Sequence, residues 1–403
     1  MKNNILVNPL PERDCTGCSM CGAVCPKSAI TMELTVEGFY EPTINSDLCI
    51  DCGICKKVCY KFDEKVDIDN KTHYSCYSAI NKDTNELKTA TSGGVSNELM
   101  KECIKQGYKV VGVAYDYEKE IAVTRIATKI DELEQFKGSK YFQSCTVGAF
   151  KEIADDKTQQ KYAIFGTPCQ IYAMSKFADF KKNRDRFILV DLFCHGCPSM
   201  NLWSKYLEHS KNKYNVSRFN KIEFRSKVHG WHEFGFKFLT NQKEFKNPKI
   251  NDEFYELFFD MNTHNKACYE CKMRSSLDFT DIRMGDFWGP QYDTDMRGVS
   301  AVVVCTEKGE KLFEATKDYF NIKVHNFDET IKAQSYGKKH TYNQEVRNNI
   351  LKQLRTEEKL EIIIKHYRTK YPLAKKLKRL VKNTFKLLPK SIYFKVKKIL
   401  HSI

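Results

Sequence analysis

Eight cysteines in the first sixty residues restrict this chain more than any other feature. The run Cys15-Thr-Gly-Cys18-Ser-Met-Cys21-Gly-Ala-Val-Cys25-Pro26 recurs 34 residues later as Cys49-Ile-Asp-Cys52-Gly-Ile-Cys55-Lys-Lys-Val-Cys59-Tyr60. Three cysteines spaced two apart can wrap three irons of a cubane from one tight loop, and the fourth thiolate must come from elsewhere. In two-cluster ferredoxins the fourth cysteine of each run crosses to the other cluster. The spacing therefore predicts two 4Fe-4S clusters, one on Cys15, Cys18, Cys21 and Cys59, the other on Cys49, Cys52, Cys55 and Cys25. Gly17, Gly22 and Gly53 suit loops whose amides must approach sulfur. Paired Cys-x2-Cys motifs also describe zinc sites, but the doubled eight-cysteine pattern is far more specific to clusters. Tyr60 departs from it, standing where the second run would usually carry proline, without removing a ligand.

The 403 residues include 17 cysteines, which in a secreted protein would first raise disulfides. Residues 1–13 hold no apolar run of signal-peptide length, and no segment approaches the roughly 18 apolar residues of a membrane span. The chain is expected to be cytoplasmic, where clustered thiolates mean metal or redox chemistry. A hydrophobic share of 41% with 12% aromatics is enough to bury a core without disulfides. The formal charge of +15 is uneven: twelve of the 66 Lys and Arg lie from His366 onward with no Asp or Glu, leaving 54 basic against 51 acidic residues before it. Basicity belongs to a tail and says little about the main site.

Between the cysteine runs, Ile30, Met32, Leu34 and Val36 alternate with polar residues before Gly38, a half-buried hairpin strand. Farther on, apolar runs at 110–115, 162–165, 187–193 and 299–305 read as buried strands, and helical patterns at 97–106, 170–177 and 200–211 follow several of them. This alternation predicts a mixed α/β or α+β body. The expected organisation is a ferredoxin-like dicluster module at 1–72, a flavin and iron-sulfur body in two parts at 73–158 and 159–345, and a basic helical tail at 346–403. In the tail, Leu373, Leu377, Leu380, Val381 and Leu388 share a helical face that resumes after Pro389 with Ile392, Val396, Ile399 and Ile403. Such a face with lysines around it fits the inner, anionic surface of a membrane. A helix packed on the body and nucleic-acid binding are the alternatives, and no nucleic-acid partner is expected.

Several phrases of the body carry more than composition does. They are Thr91-Ser92-Gly93-Gly94-Val95, Lys137-Gly-Ser-Lys140-Tyr141-Phe-Gln-Ser144, Gly166-Thr167-Pro-Cys169-Gln170, Cys194-His195-Gly196, Cys268-Tyr-Glu-Cys271-Lys-Met-Arg274 and Gly285-Asp286-Phe-Trp288-Gly289. In this order, across roughly residues 74–305, they resemble the family of beta subunits of coenzyme F420 hydrogenases and dehydrogenases, including bacterial members found among cell-surface polysaccharide genes. The resemblance implies an iron-sulfur flavoenzyme that passes electrons between clusters and bound FAD and exchanges them with a redox partner protein or a reduced cofactor. It places Ser92, Gly93, Gly94, Lys140, Gly166 and Thr167 at the flavin. Glycines at a helix start would let amides meet a pyrophosphate, although an ordinary turn explains Gly93 and Gly94 as well.

The same phrases imply a third 4Fe-4S cluster on Cys169, Cys194, Cys268 and Cys271. Cys197 competes for the fourth position, because Cys194-His-Gly-Cys197 is itself a Cys-x2-Cys pair; zinc or a redox disulfide would use it too. His195 and Asp286 are the candidates for catalytic work, one for proton transfer, each with a structural role as the alternative. Cys76, Cys103, Cys145 and Cys305 stand alone, as small buried hydrophobes do. The rival to an enzyme is an electron-transfer subunit without a substrate site of its own.

Overall fold

A computed structural model describes residues 2–66, 73–250 and 252–371. The N-terminal module is small. A hairpin of β1 (Ile30–Leu34) and β2 (Tyr40–Ile44) pairs in antiparallel register; the module's own buried cluster is Ile5, Cys21, Ile30 and Cys55, while Met20, Ala23, Val58 and Tyr60 are buried in a cluster shared with the body.

The body is built on a mixed nine-stranded sheet. Its strands are β3 (Ser75–Asn81), β4 (Lys109–Asp116), β5 (Ile121–Ala127), β6 (Ser144–Cys145), β7 (Tyr162–Phe165), β8 (Phe187–Leu192), β12 (Ile282–Asp286), β13 (Ser300–Val304) and β14 (Phe320–His325). They stand in the order β14-β3-β13-β12-β8-β7-β4-β5-β6, so residues 73–158 and 159–345 contribute to one sheet. The middle strands β4, β7, β8 and β12 run parallel. Tyr-Ala-Ile-Phe of β7 and Ser-Ala-Val-Val-Val of β13 are buried throughout, the near-continuous apolar pattern of strands covered on both faces. A second sheet, β9 (Lys221–Ser226), β10 (Gly235–Leu239) and β11 (Glu244–Pro248), is antiparallel. It packs with the helix Met200–Tyr214 around Trp203, Tyr206, Phe236 and Phe254.

Among the described residues, each strand and helix expected from periodicity is present, within a few residues. The helix Pro168–Lys181 follows β7 with Thr167 as N-cap in a capping box with Gln170 and proline in its first turn. Gly93 is fixed by close approach: a Cβ there would lie 2.1 Å from the Ala79 carbonyl oxygen and 2.6 Å from the Ser300 nitrogen.

The module is fastened to the body by hydrogen bonds as well as packing. The Gln143 amide accepts from Tyr40 N at 3.0 Å and donates to Thr16 O at 2.9 Å. Thr146 donates to Cys18 O, Ser199 to Glu37 O and Tyr172 to Asp63. No helix among the described residues is long and apolar enough to cross a membrane. The amphipathic face expected from Leu373 to Ile403 lies outside the described residues.

Candidate cluster sites

Two one-turn helices, Met20–Ala23 and Ile54–Lys57, present the N-terminal cysteines. Gly53 starts the second in a left-handed conformation at φ 73°, which a side chain there would strain. Cys15, Cys18, Cys21 and Cys59 form one group. Burial and then the neighbouring thiols push Cys21 well up, and burial followed by Cys18 raises Cys59; burial pushes Cys15 up to about 12. Cys25, Cys49, Cys52 and Cys55 line one cavity, with Cys52 exposed at its edge. The two groups adjoin through Cys21 and Cys55, which share one apolar cluster. These neighbours are compatible with the crossed pairing expected from the spacing. Thiols that oppose one another's ionisation fit a site completed by iron, since metal binding supplies the cations that thiolates need.

The third group is assembled by the sheet. Because β7 and β8 are parallel, the loops after them leave the same sheet edge, where α/β folds place functional residues. Those loops carry Cys169 at one helix start and Cys194 and Cys197 beyond the other strand. The segment before β12 adds Cys268 and Cys271, held by a bridge between Pro198 and His264 and by donation from Cys197 N to Cys268 Sγ at 3.4 Å. Five thiols meet here. Cys194 is drawn below the usual thiol range by a hydrogen bond from Cys197, with Arg274 assisting. Burial raises Cys169, Cys268 and Cys271, with Cys268 pushed up to about 12. Cys169 and Cys197 both approach Cys194, so the geometry leaves both as fourth donors. Among the described residues no three His, Cys, Asp or Glu side chains converge to hold one metal ion.

The first and third groups are neighbours. Cys18 is the foremost charged neighbour of Cys169, and Cys18, Cys59, Cys169 and Cys271 all pack on one apolar cluster. Tyr60 stands between them, feeling Cys59, Cys271 and Cys15, and its hydroxyl donates to Asp14 O. The residue that departs from the ferredoxin pattern therefore lies where module meets body.

The residues placed at a flavin are occupied otherwise. Ser92 donates to Val299 O at 2.8 Å, and Gly93 N to Ser300 Oγ at 2.9 Å. Lys140 donates to the carbonyls of Gln135, Phe136 and Lys137, and burial pulls its ammonium down to about 7. Gly166 N bonds Val190 O, and Thr167 caps its helix. Gly94 starts the helix Val95–Lys105 at φ 83°. These hydrogen bonds and helix starts tie the six residues into the scaffold.

Asp286 is also engaged. One carboxylate oxygen pairs with Arg225, and the other accepts from Trp231 Nε1 at 2.7 Å. His195 lies beside the third group with Nε2 buried and unpartnered; burial, then Arg274, lowers it to about 4. Its ring stands 4.8 Å from that of His340 and 6.2 Å from that of His264. Sequence reasoning passed over His264, His340 and Arg225, which no local motif marks. It also passed over Arg274, which closes the Cys268 phrase.

Residues 159–330 match the family described as the C terminus of the coenzyme F420 hydrogenase/dehydrogenase beta subunit, and residues 14–61 match the 4Fe-4S dicluster domain. The F subunit of the F(420)H(2) dehydrogenase from Methanosarcina mazei is 24% identical over 317 residues, covering 76% of this chain and 84% of that protein. The beta subunit of the coenzyme F420 hydrogenase from Methanococcus voltae is 24% identical over 264 residues, covering 60% and 85%. A solved chain of the F420-reducing NiFe hydrogenase complex from Methanosarcina barkeri covers 74% of this chain and 94% of its own length, at 19% identity and a TM-score of 0.45.

Proposed function

Residues 14–61 are a 4Fe-4S dicluster domain and residues 159–330 belong to the C-terminal family of coenzyme F420 hydrogenase/dehydrogenase beta subunits, and on that premise we propose an electron-transfer subunit with three cluster sites in file. The nearness of Cys169 to Cys18 carries this reading, because it sets a third thiol group beside the first. Cys25, Cys49, Cys52 and Cys55 hold the outer cluster. Cys15, Cys18, Cys21 and Cys59 hold the middle one. Cys194, Cys268 and Cys271, with Cys169 or Cys197, hold the inner one. Bound clusters supply one-electron redox chemistry. The chain's own part is to fix their order, exclude water from the inner two and leave the outer one beside solvent at Cys52. A partner protein that gives or takes the electrons goes with this reading, as does a cytoplasmic setting. Anaerobically purified full-length chain should hold about twelve irons, and Cys271→Ser should remove about four. About eight irons, unchanged by Cys271→Ser, would return the chain to a two-cluster protein.

The finer reading is an FAD-dependent oxidoreductase acting in cell-surface polysaccharide biosynthesis. It rests on the resemblance alone, and no step is routed through a flavin here. Flavin released from the purified chain at about one per polypeptide would support it; a flavin-free chain with full iron leaves the subunit without its own substrate site.

A further inference from the structure

In both the first and the third thiol group most of the cysteines are partly exposed, so the difference between the groups lies in the charges around them. Near the first, Glu41 and Lys61 act in opposite directions on Cys15. No histidine occurs in residues 1–72. Near the third stands Arg274, 3% exposed. It donates to Lys338 O at 2.5 Å and Cys268 O at 2.7 Å, and its Nε is buried with no partner. Its charge bears on Cys194, Cys268 and Cys271. Arg283, the other cation near Cys194, is already matched by Asp191 at 2.8 and 2.5 Å. A buried guanidinium whose hydrogen bonds go only to carbonyls is strongly unfavourable unless an anion lies beside it. A thiolate-held cubane is such an anion.

The imidazoles lie on the same side. Nε2 of His195 and Nε2 of His340 are buried and unpartnered, and His264 is buried beside them with the Met261 backbone within its reach. His264 reaches the thiol loop itself, since a Cβ on Gly196 would lie 2.7 Å from its ring and 3.2 Å from Cys268 Cβ. Buried polar groups without partners call for an explanation, and hydrogen-bond donors beside cluster sulfur, like a nearby cation, favour the more negative, reduced state.

We propose that Arg274 with His195, His264 and His340 makes the third centre more readily reduced than the first, so that electrons entering the N-terminal module run inward. This rests on reading the third thiol group as a cluster. In the step, the reduced first centre loses one electron and the third gains it, with no bond made or broken. An external one-electron carrier, an iron-sulfur or flavin protein, reloads the module.

The test is a redox titration of the anaerobic full-length chain followed by low-temperature spin resonance, with Cys271→Ser assigning the third signal. As the potential is lowered, that signal should develop before the signal assigned to the first centre by Cys18→Ser. Arg274→Met should move it to lower potential and leave the other signals in place, while Arg274→Lys should move it less. A third signal that develops after the first overturns the proposal, as does Arg274→Met with full iron and an unmoved third signal. The order in the unaltered chain decides even if Arg274→Met fails to fold. Only about eight irons and two signals would remove the third centre itself, and with it this proposal, which differs from a reversed order.

Discussion

In the N-terminal module eight cysteines arrive in two short runs, whereas the body gathers its five from segments around Cys169, Cys194 and Cys268 that are far apart in the chain. The module spends its residues on loops around thiols, keeps a cluster of four buried residues to itself and buries the rest of its apolar side chains against the body. The body spends a nine-stranded sheet and several large apolar clusters before any thiol is placed. One region depends on metal for its geometry; the other builds its geometry on a sheet and apolar clusters. Removing iron should therefore separate them, because in small metal-bound modules the binding free energy is folding free energy.

The largest effect should follow chelation of iron from the purified chain. Residues 2–66 should become sensitive to limited proteolysis while the sheet from β3 to β14 resists and still melts cooperatively. If both regions collapse together, the contrast is wrong. Trp203→Ala attacks the other side. Trp203 is fully buried, stacked 4.7 Å from Phe142 and packed near Phe224 and Phe254. Its loss should cost about 3–5 kcal/mol in denaturant unfolding of the body, with iron content at low denaturant unchanged. A drop in iron without a drop in stability would show that the aromatic core serves the clusters directly.

Gln143→Ala probes the seam. It removes two hydrogen bonds to the module and should raise amide exchange around Thr16 and Tyr40, at a cost of about 1–3 kcal/mol; unchanged exchange there would mean packing alone holds the module. The smallest effect concerns acid-base balance in the body. Burial raises the Asp252 carboxyl to about 7 against hydrogen bonds from Tyr206 and Tyr255 N. Its folded value lies above the unfolded value of about 3.9, so the folded chain holds this proton more tightly. That contribution is full below about pH 4 and is lost as pH rises through 7. Asp252→Asn keeps an acceptor for Tyr255 N and should melt like the wild type near pH 4 but higher at pH 8, on the order of 1 kcal/mol. Equal melting at both pH values would place the charge elsewhere.

Legibility followed the same divide. Each module cysteine is within ten residues of another of its run, so local spacing was sufficient, and strands such as β7 announced themselves by apolar runs. The partners of Asp286 were beyond reach, because Arg225 and Trp231 come from the small sheet and the loop beyond it, 61 and 55 residues away. Lys140 reads as a free charge in sequence, yet it caps the turn just before it. That outcome depends on burial, which periodicity does not report. His264 and His340 meet His195 only through folding. The order of the strands was also out of reach, since β3 from early in the chain lies between β13 and β14 from late in it.

The seam has a mechanical meaning. Ser199 grips the hairpin turn at Glu37, Met200 N bonds Gly38 O, and Asn201 holds Val36, so the tip of the module is clasped by the start of a long helix while Tyr172 clasps its other end at Asp63. A module held at both ends is no swinging arm. It cannot collect cargo in one posture and deliver it in another, and whatever passes through it must tunnel across fixed gaps. Thickening the medium with an inert viscogen would slow arrival at Cys52 but leave the passage within the chain untouched.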